Sequence, residues 1–429
     1  MLTERMIIIM EKCPSALLRL SVLVTVLPMS RLTPTRNLSL GEIGSRPFAA
    51  IWNTHSNACQ ANFGIDLNLT AYNIASGADN SVIFYNDHIG LYPFVKNGVF
   101  VNGGVPQLVN LSAHLEKATI DILNRVPDDH FRGLAVIDWE YWHPEWDYTR
   151  RLYKDISISL VQLRHPDWNT TRLEMVAKLE YEQAAKSLFE STIQLAKELR
   201  PDALWGFYHH PYCQFKTIAY NCSELAIQVA KKMPWLFDEV TALYPSIYLS
   251  DSKDKGAEVE NPVQFVESVL DETFRCRQKS KHQSTPVFSY CRIKYEGTDL
   301  FLNLEHLRDT ILLSAEMGVS GVVLWDAYND TKTREGCIEV QSYIASALGP
   351  LVKTTTDAAL ECSQSICSGH GRCVGKILTC AKTAPPIEFI RNSLKRAVFT
   401  GLLLSALPHH DCACQCYHGW RGNDCSIAV

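Results

Sequence analysis

A β/α barrel of the TIM type followed by a small disulfide-rich module is the architecture this sequence predicts. Three observations carry that expectation. From about residue 47 to residue 350, short apolar segments alternate with helical patterns, as repeated strand–helix–strand units do. The apolar segments are continuous, which suits parallel strands covered on both faces. Eight of the fifteen cysteines, Cys362, Cys367, Cys373, Cys380, Cys412, Cys414, Cys416 and Cys425, crowd the end of the chain. A doubly wound open sheet is the alternative, but no Gly-x-Gly-x-x-Gly follows the first strand.

The elements follow in order. Residues 1–30 read as a signal peptide, since Arg5, Lys12 and Arg19 precede the apolar run Leu20–Leu27 and then Pro28-Met-Ser30. That run is too short to span a bilayer. Residues 31–350 form the expected barrel domain, with strands at 48–52, 81–85, 133–137, 203–207, 243–248, 286–290 and 321–325. The clearest helix runs from about Arg172 to Leu199. There Ala177, Tyr181, Ala184, Leu188, Thr192, Leu195 and Leu199 recur at three- and four-residue steps, and Pro201 stops it. Residues 351–429 read as an EGF-like module, too small to hold itself without bridges. An insert at about 374–410 interrupts it, and the apolar run Ala397–Leu404 within that insert is too short for a membrane. With no paired Cys-x2-Cys knuckles in an exported chain, the dense cysteines read as disulfides rather than a zinc site.

Composition narrows the function. The 429 residues are 46% hydrophobic and 20% charged, so a sizeable core is expected and disorder is not. A net charge of −5 does not suit a protein built to grip nucleic acid. Fifteen cysteines imply an oxidising compartment, and losing Cys13 with the signal leaves an even number. Six Asn-x-Ser/Thr sequons, at Asn37, Asn68, Asn110, Asn169, Asn221 and Asn329, agree with a secreted or extracellular chain, a lysosomal one included.

One strand ends in Gly133-Leu-Ala-Val-Ile-Asp138-Trp-Glu140-Tyr-Trp142. Side chains alternate along a strand, so Asp138 and Glu140 share one side, about 7 Å apart at Cα. Setting two carboxylates beside Trp139 and Trp142 costs desolvation energy without an obvious structural return. Burial and repulsion raise one pKa and keep a proton on the pair, which suits a general acid. The alternative is that they cap loops or pair with surface arginines. A two-carboxylate glycosidase sets its groups on opposite sides of the scissile bond, about 5 Å or more apart. Neighbours on one strand do not easily do that. For a sugar substrate, Glu140 then serves as acid and afterwards base, while Asp138 holds a 2-acetamido group whose oxygen is the nucleophile. Tyr208, Tyr248 and Trp325 stand at other strand ends, where rings pack on sugar faces and hydroxyls hold sugar oxygens. No cofactor and no metal is expected, and His209, His210, His409 and His410 read as packed or solvated rather than as ligands.

At these residues the sequence resembles the hyaluronidases, secreted endo-acting glycosidases. The resemblance runs from about Arg46-Pro-Phe to Cys425. It includes Gly103-Gly-Val-Pro106, Gly133 to Trp142, His165-Pro-Asp-Trp168, Leu204-Trp-Gly-Phe-Tyr208, Ala242-Leu-Tyr-Pro-Ser-Ile-Tyr248, Gly321-Val-Val-Leu-Trp325 and Cys367-Ser-Gly-His-Gly-Arg-Cys373. It implies a distorted barrel with an EGF-like appendage, and retaining cleavage assisted by the substrate's N-acetyl group. By that resemblance Glu140 is the proton donor and Asp138 positions the acetamido group. By it Tyr208, Tyr248 and Trp325 shape the subsite around the reacting sugar, with Ser246 nearby; Trp139, beside the acid pair, and Glu296 are further candidates for substrate binding. It also implies the disulfides Cys59–Cys337, Cys213–Cys222, Cys362–Cys373, Cys367–Cys414 and Cys416–Cys425. Cys276 with Cys291, and Cys380 with Cys412, are left over as hypothetical pairs.

The chain departs from its relatives at His143, where many have Arg, and at Glu296, where Asp is common. His209-His-Pro-Tyr-Cys213 also replaces a more usual Phe-Pro-Asp-Cys stretch. These changes flank the groove and bear on substrate preference. The expected partner is a glycosaminoglycan polymer, hyaluronan or by the same chemistry chondroitin, cut by a monomer with no membrane span. An inactive glycan-binding protein and a chitinase-like barrel are the competing readings. A lectin has no need of a proton donor, and the chitinase-like fold lacks the EGF-like tail.

Overall fold

The computed structural model describes residues 46–213, 222–250, 261–326, 331–381 and 412–429. The expected signal peptide, Cys13, the sequons at Asn37, Asn221 and Asn329, and most of the expected insert with His409 and His410 lie outside the described residues.

Apolar runs become strands here because both of their faces find apolar partners. β1 (Ala49–Trp52), β2 (Ile74–Ser76) and β3 (Ser81–Phe84) lead into an antiparallel hairpin of β4 (Phe94–Lys96) and β5 (Val99–Val101). β6 (Leu134–Ile137), β7 (Leu204–Phe207), β8 (Phe288–Arg292) and β9 (Gly321–Trp325) continue the wall. The ladders form two parallel arcs, ordered β2-β1-β9-β8 and β3-β6-β7. Residues 242–248 run between the arcs and join them through single parallel bridges, Tyr208 to Tyr244, Leu243 to Val287 and Ser246 to Tyr290. The sequence suggests a full strand there. Pro245 has no N–H to give, so the ladder breaks around it, although its carbonyl accepts from the Tyr290 N–H at 2.8 Å. β2, three residues long, carries too little apolar pattern to be read from sequence.

Alternation sorts the wall into two faces. Ala49, Ile51, Leu134, Val136, Ala242, Tyr244, Phe288, Tyr290 and Val323 form one buried cluster, with Ala75 and Ile83 packed against it. No ladder joins β2 to β3 among the described residues, though Ala75 of β2 and Ile83 of β3 both pack against this interior cluster. The result is a distorted β/α barrel. The intervening residues, such as Trp52, Ala135, Ile137, Trp205, Phe207, Val322 and Leu324, belong to the outer core beneath the helices.

The long helix spans Thr170–Leu199 and starts where the Asn169 side chain accepts from the Arg172 N–H at 2.9 Å. Its buried face is wider than the sequence stripe. Leu173, Ala185, Phe189, Ile193 and Ala196 join Ala177, Tyr181, Leu188 and Thr192, while Ala184, Leu195 and Leu199 lie half-buried at the border. Asn110 caps the helix Leu111–Arg125 in the same way, from the Ala113 N–H at 3.1 Å.

Beyond β9, the helix Arg334–Tyr343 continues through Ile344–Leu348 into Gly349–Ile366. β10 (Gly371–Gly375) then pairs antiparallel with β11 (Cys412–Cys416), and β12 (Trp420–Arg421) with β13 (Ile427–Ala428). Four disulfides staple this end: Cys362–Cys373, Cys367–Cys414, Cys380–Cys412 and Cys416–Cys425. Cys59–Cys337 and Cys213–Cys222 lie in the barrel. The hypothetical Cys276–Cys291 bridge does not form; both are buried thiols. Cys276 turns its Sγ toward Glu272, 3.6 Å from Oε1, and Cys291 packs in the outer core from β8. Arg372 from β10 reaches the start of β9, where its Nη1 donates to the Gly318 carbonyl at 3.1 Å and to Ser320 Oγ at 2.7 Å. Among the described residues, no helix is long and apolar enough to cross a membrane.

Candidate active site

The period of two that builds the barrel interior also builds its mouth. Inward residues Leu134 and Val136 of β6 are followed at the same parity by Asp138 and then Glu140. Ile83 is followed by Tyr85, Tyr244 by Ser246 and Tyr248, Tyr290 by Arg292, and Val323 by Trp325. On β7 the sequence is Leu204, Gly206, Tyr208. A Cβ on Gly206 would collide with the Ala242 carbonyl, so only glycine admits the neighbouring segment this closely. A ring of polar and aromatic groups therefore crowns an apolar interior at the C-terminal strand ends, where barrels carry their chemistry.

Asp138 is fixed by its own backbone, whose N–H donates to the Phe84 carbonyl at 2.9 Å. Its Oδ1 is buried and has no hydrogen-bond partner in the protein. Burial, and then the neighbouring Glu140, push the Asp138 carboxyl well above the usual carboxylate range. Glu140 keeps access to solvent on one side while protein crowds its carboxyl on the other. Burial raises its carboxyl too, with Arg150 opposing the rise and Glu296 adding to it. Two such groups hold a proton where an isolated carboxyl would have lost it.

The aromatic groups close around this pair. The Tyr208 hydroxyl donates to Ser246 Oγ at 3.4 Å and also contacts the Tyr248 hydroxyl. Its ring meets Tyr290 edge-on at 4.9 Å. Tyr248 and Trp325 lie nearly parallel, 11° apart with centroids at 5.9 Å. The Trp325 indole meets the Tyr85 phenol, whose pKa burial and then the Asp138 charge raise. Glu296 lies close enough to affect Glu140, and one of its carboxyl oxygens accepts from Ser250 Oγ at 3.3 Å.

Trp139 requires a correction. One residue off the parity of Asp138 and Glu140, it turns away from the mouth into the outer core, where it stacks on Tyr92 at 4.6 Å. It supports the strand from behind and does not line the groove. His143 and His210 pack with ring centroids 5.2 Å apart, and the His143 Nδ1 accepts from the Glu145 N–H at 3.1 Å. Burial lowers His143 to about 3 and His209 to about 4, so both stay neutral. Tyr85, Arg150 and Arg292 are neighbours of the site that sequence reasoning missed. Counting by twos from each inward residue finds Tyr85 and Arg292; nothing local marks Arg150, whose Nη2 reaches the Glu140 carbonyl at 3.4 Å from the start of the next helix.

The hyaluronidase family model matches residues 39–429. The chain belongs to the hyaluronidase family. It is a glycoside hydrolase, as the members of this family are. Hyaluronidase-1 of Mus musculus is 35% identical over 406 residues, covering 89% of this chain and 87% of its own length. The hyaluronidase of Crotalus adamanteus is 33% identical over 415 residues, at 89% and 90% coverage. Among solved structures, bee venom hyaluronidase in complex with a hyaluronic acid tetramer is similar with a TM-score of 0.66 at 30% identity, covering 71% of this chain and 98% of that one.

Proposed function

We propose that this hyaluronidase-family chain hydrolyses the β-1,4 bonds between N-acetylhexosamine and glucuronate in hyaluronan, from within the polymer and with retention of configuration. One observation carries the mechanism: a buried, unpartnered Asp138 oxygen beside a solvent-open Glu140 on the same strand face. The substrate's amide N–H fills that vacant acceptor. Its hydrogen bond stabilises charge on Asp138 and leaves the shared proton to Glu140. The acetamido oxygen then attacks the anomeric carbon while Glu140 protonates the departing glycosidic oxygen. In the second half, Glu140 takes a proton from water, which attacks the same carbon, reopens the cyclic intermediate and restores the starting configuration. Tyr208, Ser246, Tyr248 and Trp325 shape the subsite of the reacting sugar, and Glu296 borders it.

Chondroitin is the second substrate this chemistry allows, because it presents the same acetamido group and differs at the hexosamine 4-hydroxyl and in sulfation. The organisation we infer is an exported monomer with a barrel over residues 31–350 and an EGF-like module over 351–429. Hyaluronan and chondroitin digested in parallel from acid to neutral pH, with product sizing, test the reading. Even-numbered oligosaccharides from hyaluronan are expected; binding to either polymer with no cleavage of both would replace the enzyme with a glycan-binding protein.

A further inference from the structure

Arg292 takes no part in the chemistry above, yet it stands in the same crown of residues. The segment ending at Tyr248, then β8, then β9 are lateral neighbours, so Arg292 rises beside the two stacked rings carried by the elements on either side and lies near both. Its guanidinium carbon lies 5.1 Å from the Trp325 ring centre and 6.0 Å from that of Tyr248. Register sets this arrangement, because Arg292 is the cross-strand partner of Trp325. The residue that follows β9, Asp326, is buried and holds Arg292 Nη2 at 2.5 Å through Oδ1. A buried ion pair contributes little net stability, since desolvation offsets the attraction, and its best-attested use is to fix one arrangement among several. A guanidinium can stack on rings and bond a carboxylate at once; a lysine ammonium in the same place lacks the planar face. Beyond Trp325, its indole meets Tyr85, which lies close enough to Asp138 for that charge to raise its pKa.

We propose that Arg292, held by Asp326, is a positioning residue that locks the Tyr248–Trp325 wall and, through Tyr85, sets the wall against Asp138. The inference rests on the proposed function for the identity of the sugar; the wall's rigidity can be read without any substrate. Arg292→Lys keeps the charge and loses the planar stack. Arg292→Gln combined with Asp326→Asn removes both charges, so neither is left buried alone. With rates normalised to folded protein, kcat should fall about tenfold to a hundredfold in each, the scale of a reacting group misplaced by an ångström. KM for polymer should change little, because a long chain is held at many sugars. Native-state oxidation of Trp325 by N-bromosuccinimide, followed by peptide mass, should run several-fold faster in both variants. Wild-type kcat in Arg292→Lys, or an unchanged Trp325 oxidation rate in both variants, would overturn the proposal. Wild-type protein that cleaves neither glycan would count against the function, while the oxidation rates would still decide the role of Arg292.

Discussion

At the start of β9, every polar atom of Ser320 is used. Its N–H donates to the Val287 carbonyl at 2.7 Å, its carbonyl accepts from the Ala49 N–H at 3.0 Å, and its hydroxyl oxygen accepts from Arg372 and from the Val287 N–H. At the other end of the same barrel, Asp138 Oδ1 and Arg292 Nε are buried without partners, and two carboxyls sit with raised pKa values. Strands of identical make therefore end in opposite ways. At the base, Ser320 is fully paired although Arg372 Nε is left without a partner, and that end carries the stapled C-terminal module; at the mouth the unpaired atoms include an oxygen of the acid pair itself, which a substrate can complete. Changes at the mouth should alter rate and leave stability alone or improve it, and changes at the base should do the reverse.

The largest effect that can break this division is Glu140→Gln. It removes the transferable proton and little volume, so turnover should fall by about 10²–10⁴-fold while polymer binding and the melting temperature hold. Near-normal turnover would remove Glu140 from its role. Next comes the pH dependence of stability. Both carboxyls have folded-state pKa values above their unfolded ones, so the folded chain binds more protons than the unfolded chain. Their stabilising contribution is present below the ordinary carboxyl pKa and is lost as pH rises through the raised values. Asp138→Asn with Glu140→Gln should therefore flatten the decline of melting temperature with rising pH. An unchanged slope would place that proton uptake elsewhere. At the base, Arg372→Met should cost about 1.5–3 kcal/mol, the worth of charged hydrogen bonds, with kcat untouched below the melting point. A loss of kcat with no loss of stability would contradict the contrast. Smallest is the helix cap at Asn169. Replacement by Ala should cost about 1 kcal/mol, whereas Asp keeps the cap and removes the glycan acceptor. A mass change in Asn169→Asp with unchanged melting would separate the two roles of that side chain.

The strands that carry the site were legible because each is a short run, apolar on both faces, such as Leu134–Ile137 and Gly321–Trp325. The acid pair was legible because two carboxylates in such a place have no structural excuse. What escaped were features set by parity and by lateral order. Trp139 looked like a groove residue because it adjoins Asp138 in sequence, but adjacent residues on a strand face opposite ways. Tyr85 and Arg292 looked unremarkable one strand at a time; they become part of the site only when several strand ends are laid side by side. Arg150 comes from the beginning of the helix Arg151–Arg164, and no local signal ties it to Glu140. Cys276 and Cys291 were left over by arithmetic alone, which does not say which way a helix and a strand turn their sulfurs.

The Cys59–Cys337 bridge joins residues 278 apart in sequence. At a synthesis rate of about 5–20 residues per second, Cys59 leaves the ribosome on the order of tens of seconds before its partner exists. During that interval Cys213 and Cys222 appear within reach, nine residues apart, and they can pair with each other or capture the waiting thiol. β1 has the same difficulty on one side, because its neighbour β9 is the last of the barrel strands to be made. The N-terminal strand of this barrel must therefore be kept soluble and its cysteine uncommitted through most of translation, which makes the cell's thiol-exchange and chaperone machinery a condition of yield.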